Sequence, residues 1–136
     1  MKSVFIILGL LIGMGSAFAE PVIVGNLNGV DNISASDAKK LFLGKLKTLP
    51  NGTKPIVVGY PDGSAIREEF HSKVTQKSGS QLQAYWSQLV FTGKGTPPKE
   101  VSSSAAVIAE ITSNSSVIGY IDSTEVTDQL KIIYQP

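Results

Sequence analysis

A layered α/β domain with helices flanking a mixed, largely covered β-sheet is what this sequence predicts, from two observations. Four β-type runs, "PVIVGN" (21–26), "PIVVGY" (55–60), "SVIGYI" (116–121) and "LKIIYQ" (130–135), are separated by stretches of helical periodicity. The first three are near-continuous apolar runs rather than alternating ones, the pattern of strands covered on both faces. Strands interleaved with helices argue for a sheet with helical layers against it.

After the first strand, "ISASDAKKLFLG" predicts a helix: Ile33 precedes a Ser34 N-cap, and Asp37 at the third helical position gives a capping-box-like start. Ala38, Leu41 and Phe42 form its apolar face, and Gly44 is a suitable stop. The second strand, 55–60, runs into a Pro-Asp-Gly turn, from which a second helix is expected from Ser64 to about Gln76, with Ile66, Phe70 and Val74 on one stripe. A third starts near Ser80 and places Leu82, Tyr85, Trp86 and Leu89 at the i, i+3, i+4, i+7 positions of a buried face. It ends at Thr92-Gly93. "TGKGTPP" lacks the spacing of a phosphate loop and reads as a helix stop and turn, with Pro97 and Pro98 setting an extended exit. A fourth helix starts within Ser102–Ser104 and buries Val107, Ile108 and Ile111 before "SNSS" breaks it, ahead of the last two strands. There is no internal repeat, low-complexity tract or interdomain linker.

The first residues speak to compartment. "MKSVFIILGLLIGMGSAFA" has a lysine, an apolar run and an A-x-A-like site, so cleavage after Ala19 and export to the periplasm are expected. The run is too short to span a bilayer comfortably, about 20 residues being needed. No cysteine follows the small residues, which excludes lipoprotein anchoring. Removing 19 of 136 residues leaves 117, enough for one domain, 20–136, with one core. The leader takes one of the 12 basic residues and none of the 11 acidic ones, leaving 11 against 11. That balance gives no electrostatic case for nucleic acid or an anionic membrane surface. Lys39, Lys40, Lys45 and Lys47 form at most a local basic patch; such lysines more often solvate an exposed face. With no cysteines there is no disulfide, thiol nucleophile or thiolate metal site.

Catalytic constellations are scarce. Glu68-x-x-His71 puts two metal-ligand types on one helical face, but di-metal bundles carry that motif twice with further carboxylates, and here it occurs once. The lone His71 gives no nucleophile–base pair, and none of the serines sits in a Gly-x-Ser-x-Gly elbow. No catalytic residue, metal ligand or cofactor is therefore assigned. The strand–turn–helix at 56–70 is more informative. A helix beginning at Ser64 offers unsatisfied backbone N–H groups and the positive end of its dipole to an anion, and Arg67 adds a guanidinium one turn in. The simpler reading is that Ser64 caps, Asp62 makes the turn and Arg67 pairs with a carboxylate.

"LFLGKLKTLPNGTKPIVVGYPDGSAIREEF", "YWSQLVFTGKGTPPKEV" and "SSVIGYI" together resemble the phosphate ABC transporter substrate-binding family, and within it a short, single-lobe relative. The resemblance rests on Leu41–Lys45, Pro55–Tyr60, Ser64–Phe70 and Val117–Tyr120, and extends from about Asn32 to Ile121. It implies one lobe of a type 2 periplasmic-binding-protein-like fold. It also implies an oxyanion site of the form R-x-D-x-S-G-T at the turn. Asp62 and Ser64 match that pattern; Tyr60 and Ile66 stand where the arginine and threonine belong, and Arg67 is the nearby substitute. The ligand-binding residues expected are thus Asp62, Gly63, Ser64, Ala65 and Arg67, for phosphate or a similar small anion. A single lobe leaves half of a ligand wet, so a homodimer or a partner protein is expected to supply the second surface. Three functions compete: an exported solute-binding module, a periplasmic accessory protein that keeps the fold without a ligand, and, on unplaced serines alone, a hydrolase.

Overall fold

The computed structural model describes residues 19–136, in which ten short elements build one sheet and its covering helices. The expected leader lies outside these residues, Ala19 apart. The strands are β1 (Pro21–Asn26), β2 (Ile56–Gly59), β3 (Lys99–Glu100), β4 (Val117–Asp122) and β5 (Leu130–Tyr134). The helices are α1 (Ala35–Phe42), α2 (Ala65–Lys73), α3 (Gly79–Phe91) and α4 (Ser104–Ser113), with a 3-10 turn at Ser123–Glu125. Among the described residues no helix is long and apolar enough to cross a membrane.

The sheet runs in the order β3-β2-β4-β1-β5. β1 is antiparallel to both its neighbours, with Ile23 opposite Tyr120 of β4, while β2 is parallel to β4 and to β3. The sheet is therefore mixed. β1 and β4 are buried along nearly their whole length, as continuous apolar runs predict. β2 is covered only at its carboxyl end, and Ile56 is exposed.

Adjacent residues of β4 show how the layers are arranged. Tyr120 stacks on Phe70 of α2 with ring centroids 3.8 Å apart, and Phe42 of α1 meets both rings edge-on. Gly119, one residue earlier and so on the opposite face, lies under Val107 of α4. A Cβ there would stand 2.8 Å from methyl groups of both Val107 and Val58, so glycine is what lets α4 sit this close. α1 and α2 thus cover one face and α4 the other.

Local chemistry sets the helix ends. Ser34 caps α1 by accepting from the Asp37 backbone at 3.1 Å, and Gly44 takes φ +69° just past its end, as expected. Ser78 and Gln81 form a full capping box, which starts α3 slightly before the expected Ser80. α2 stops at Lys73, short of the expected Gln76, because Gln76 adopts φ +58° and its N–H turns back to His71 O at 2.6 Å. Val74 and Thr75, both β-branched, are weak helix formers at that point. β3 was not expected at all; its two residues pair with Val58 and Gly59 in the extended exit after Pro97-Pro98.

Trp86 is buried at 8% exposure, but away from the main core. Its ring seats on Gly44, whose added Cβ would meet Cη2 at 2.8 Å, and it also lies against Gly95.

Candidate functional site

The carboxyl ends of the parallel strands β2 and β3 open into a cleft of about 600 Å³, the place where open α/β sheets hold ligands. Its floor includes Phe42, Gly59, Tyr60 and Tyr120, from α1, β2 and β4. Trp86, Val90 and Phe91 of α3 line it together with Pro97 and Pro98, making the walls mainly apolar. Phe91 is 91% exposed and Val90 53%, so the outer rim is apolar too.

Four titratable residues besides the tyrosines line it: Asp62, Arg67, His71 and Glu100. Arg67 donates from Nη1 to the Tyr60 carbonyl at 2.9 Å, which fastens α2 to the end of β2. The same nitrogen lies 3.8 Å from Glu100 Oε1, a loose pair with a solvent-facing carboxylate. The turn before the helix closes with Ser64 N–H on Pro61 O at 3.2 Å, and Gly63 at φ +85° supplies the conformation that a type II turn needs at its third residue.

Ser64 occupies the N-cap position of α2 but makes no cap hydrogen bond with its side chain. Among the described residues three buried side-chain atoms lack a hydrogen-bond partner: Tyr60 Oη, Ser64 Oγ and Arg67 Nε. All three belong to this one strand–turn–helix. Leaving a buried donor unsatisfied costs about 1–3 kcal/mol, so their clustering is a concentrated defect, the other buried side-chain polar atoms among the described residues being paired.

His71 lies beneath Arg67 with its edge toward Phe70 and Tyr120. Thr75 Oγ1 lies 2.8 Å from His71 Nδ1 and 3.2 Å from the His71 carbonyl, so the Thr75 hydroxyl and the buried imidazole satisfy each other. Burial, and secondarily the Arg67 charge, depress its pKa to about 4, so it is neutral at pH 7. Burial, with a smaller effect from the Glu125 charge, pushes the Tyr60 phenol up to about 12, and burial raises Tyr120 as well. None of these phenols ionises near neutrality. Glu68 is exposed while His71 is buried, so the two do not present a shared ligand face.

The depressed His71 pKa has a consequence for stability. The unfolded chain binds a proton near pH 6.5 and the folded chain only near pH 4, so stability is complete above the first value and is lost on acidification between them. The full effect is about 3 kcal/mol. Urea titrations across that window should show the loss, and His71→Gln should flatten its upper half, where carboxylates do not yet titrate; an unchanged slope would place the proton uptake elsewhere.

Of the residues expected to bind a ligand, Asp62 and Arg67 line the cleft, whereas Gly63, Ser64 and Ala65 do not. Sequence reasoning did not find the contributions of Trp86, Phe91, Pro98, Glu100 and Tyr120, which reach the cleft from distant parts of the chain. The exposed apolar pair Val90-Phe91 at the end of α3 was the available signal.

No protein-family profile matches the chain, and no curated protein does. Its structure is similar to an ABC-type phosphate transport receptor from Vibrio cholerae, at a TM-score of 0.66 and 18% identity, over 85% of this chain and 45% of that one. A candidate phosphate ABC transporter substrate-binding protein from Clostridium perfringens, solved with bound phosphate, gives a TM-score of 0.66 at 19% identity over 85% and 44% of the two chains. A candidate phosphate-binding protein from Planctomyces limnophilus gives 0.58 at 11% identity over 85% and 40%. The chain spans less than half the length of these structures, and over that extent it has their periplasmic-binding-protein-like α/β fold.

Proposed function

We propose that this chain is an exported, periplasmic solute-binding module that holds a small oxyanion, phosphate or a carboxylate, at the start of α2, with Asp62, Gly63, Ser64, Ala65 and Arg67 around it. The observation that carries this reading is the cluster of unsatisfied buried atoms on Tyr60, Ser64 and Arg67. A helix start whose serine does not cap it has first-turn N–H groups to offer an acceptor, and an anion there is favoured by the helix dipole. The likeness to structures described as phosphate receptors supports the same class of ligand. It is a binding function, with no assigned catalytic group.

Calorimetry of the purified protein against phosphate, sulfate and acetate tests it. Binding through an open half-site should be weak and salt-sensitive. Arg67→Ala should weaken it about tenfold or more, since hydrogen bonds to charged groups contribute about 1.5–3 kcal/mol. Ser64→Ala separates binding from capping by sign. If the hydroxyl capped α2, its loss would cost about 1 kcal/mol of stability; as a buried group without a partner, its removal should leave stability unchanged or raise it, while lowering anion affinity.

A second reading, an accessory protein that meets a partner or a second copy of itself through this face, is favoured by the exposure of Val90 and Phe91 on the cleft rim. No heat with any of the three anions or with a small organic ligand of the cleft at millimolar concentration would decide for it.

A further inference from the structure

The cleft is far larger than an inorganic oxyanion. About 600 Å³ lies within the roughly 300–1,000 Å³ of sites that enclose drug-sized organic ligands, and a five-atom tetrahedral ion would leave most of it filled with water against apolar walls. Its charges also suit a ligand that carries a positive group beside its negative one. Arg67 is the one cationic side chain among the described residues lining it, Asp62 and Glu100 are carboxylates, and the surface facing a ligand carries more negative than positive groups. The Arg67–Glu100 pair, 3.8 Å apart and solvent-facing on the Glu100 side, sets opposite charges side by side at the foot of the apolar walls.

We infer that the ligand is an α-amino acid with an apolar or aromatic side chain. This rests on the oxyanion reading above and specifies its ligand: the carboxylate engages Arg67, the ammonium engages Glu100, and the side chain lies between Trp86 and Pro97-Pro98 with Phe91 at the rim. A zwitterion matches an adjacent cation and anion as no simple oxyanion does. The aromatic wall supplies apolar area to be removed from water that a phosphate ion cannot use. His71, neutral at pH 7, adds no competing cation beneath the head group.

Trp86 is the single tryptophan of the sequence, so its fluorescence reports occupancy of the cleft. The purified protein is titrated with L-phenylalanine, 3-phenylpropionate, phenethylamine and inorganic phosphate, followed by Trp86 emission and by calorimetry. L-phenylalanine should bind saturably and shift the emission. 3-Phenylpropionate and phenethylamine, each lacking one head-group charge, should bind about tenfold more weakly, the scale of one lost charged hydrogen bond. Glu100→Gln, at a 60% exposed side chain, should bring L-phenylalanine down to the affinity of 3-phenylpropionate. Arg67→Ala, checked for folding like Glu100→Gln by its melting curve, should bring it down to that of phenethylamine. Equal binding of L-phenylalanine and 3-phenylpropionate would overturn the inference, as would Arg67-dependent phosphate binding without any response to L-phenylalanine; the oxyanion reading survives both. Silence from every probe would overturn the two together.

Discussion

Phe70→Ala should destabilise the protein by about 3–5 kcal/mol, the range for emptying a buried aromatic site. Phe70 is fully buried, lies flat on Tyr120 at 3.8 Å with 2° between the rings, and receives the edge of Phe42 at 4.7 Å. It is therefore the contact through which α1 and α2 are fixed to the centre of the sheet. Aromatic pairs of this kind contribute about 0.5–1.5 kcal/mol beyond their area, and here two are lost with one side chain. Against a total of about 5–15 kcal/mol for an ordinary domain, that is a large share of the stability. Urea denaturation followed by circular dichroism measures it. A midpoint within error of the parent protein would mean that α2 does not lie on β4.

Trp86→Ala is the second large effect, and it should differ in kind. The indole is 8% exposed and packs on Gly44 and Gly95, outside the central cluster. About 3 kcal/mol is expected, at the lower end for a large aromatic truncation, because the vacated space adjoins the cleft and water can enter it. The loss should loosen α3 and the Gly93–Pro98 loop while the sheet stays protected. Hydrogen exchange checks this directly: faster exchange confined to residues 79–98 is the expected pattern, and uniform loss of protection across β1 and β4 would contradict it.

Much of the architecture was legible because burial on both faces leaves a simple mark. The runs at 21–26 and 116–121 are apolar almost throughout, and they mark the two buried strands β1 and β4. Capping residues placed α1 well, since Ser34 and Gly44 act locally. β3 left no mark: two exposed residues, Lys99 and Glu100, have no periodicity, and only their pairing with β2 makes them a strand. The stripe on α3 correctly implied that Trp86 is buried, but periodicity cannot say against what. Its seat on Gly44 joins segments more than forty residues apart. Ser64 shows a different limit. A serine before a helix serves as a cap or leaves its hydroxyl free, and the sequence is the same in both cases; the side-chain rotamer decides. The cleft was the least legible feature, because Tyr60, Trp86, Pro98 and Tyr120 meet only after the sheet has formed.

The two borders of the sheet have a consequence for how other molecules approach it. On the cleft side the border is β3, two charged residues entered from a pair of prolines that have no N–H to donate. On the far side is β5, whose Ile133 carbonyl already accepts the Ile33 N–H at 2.9 Å, whose Lys131 pairs with Asp31 at 2.7 Å, and whose register with β1 is broken between Ile23 and Val24. Short length, charge, proline and irregular pairing are the devices by which natural sheets refuse an added strand. Neither border is therefore a ready template for backbone pairing.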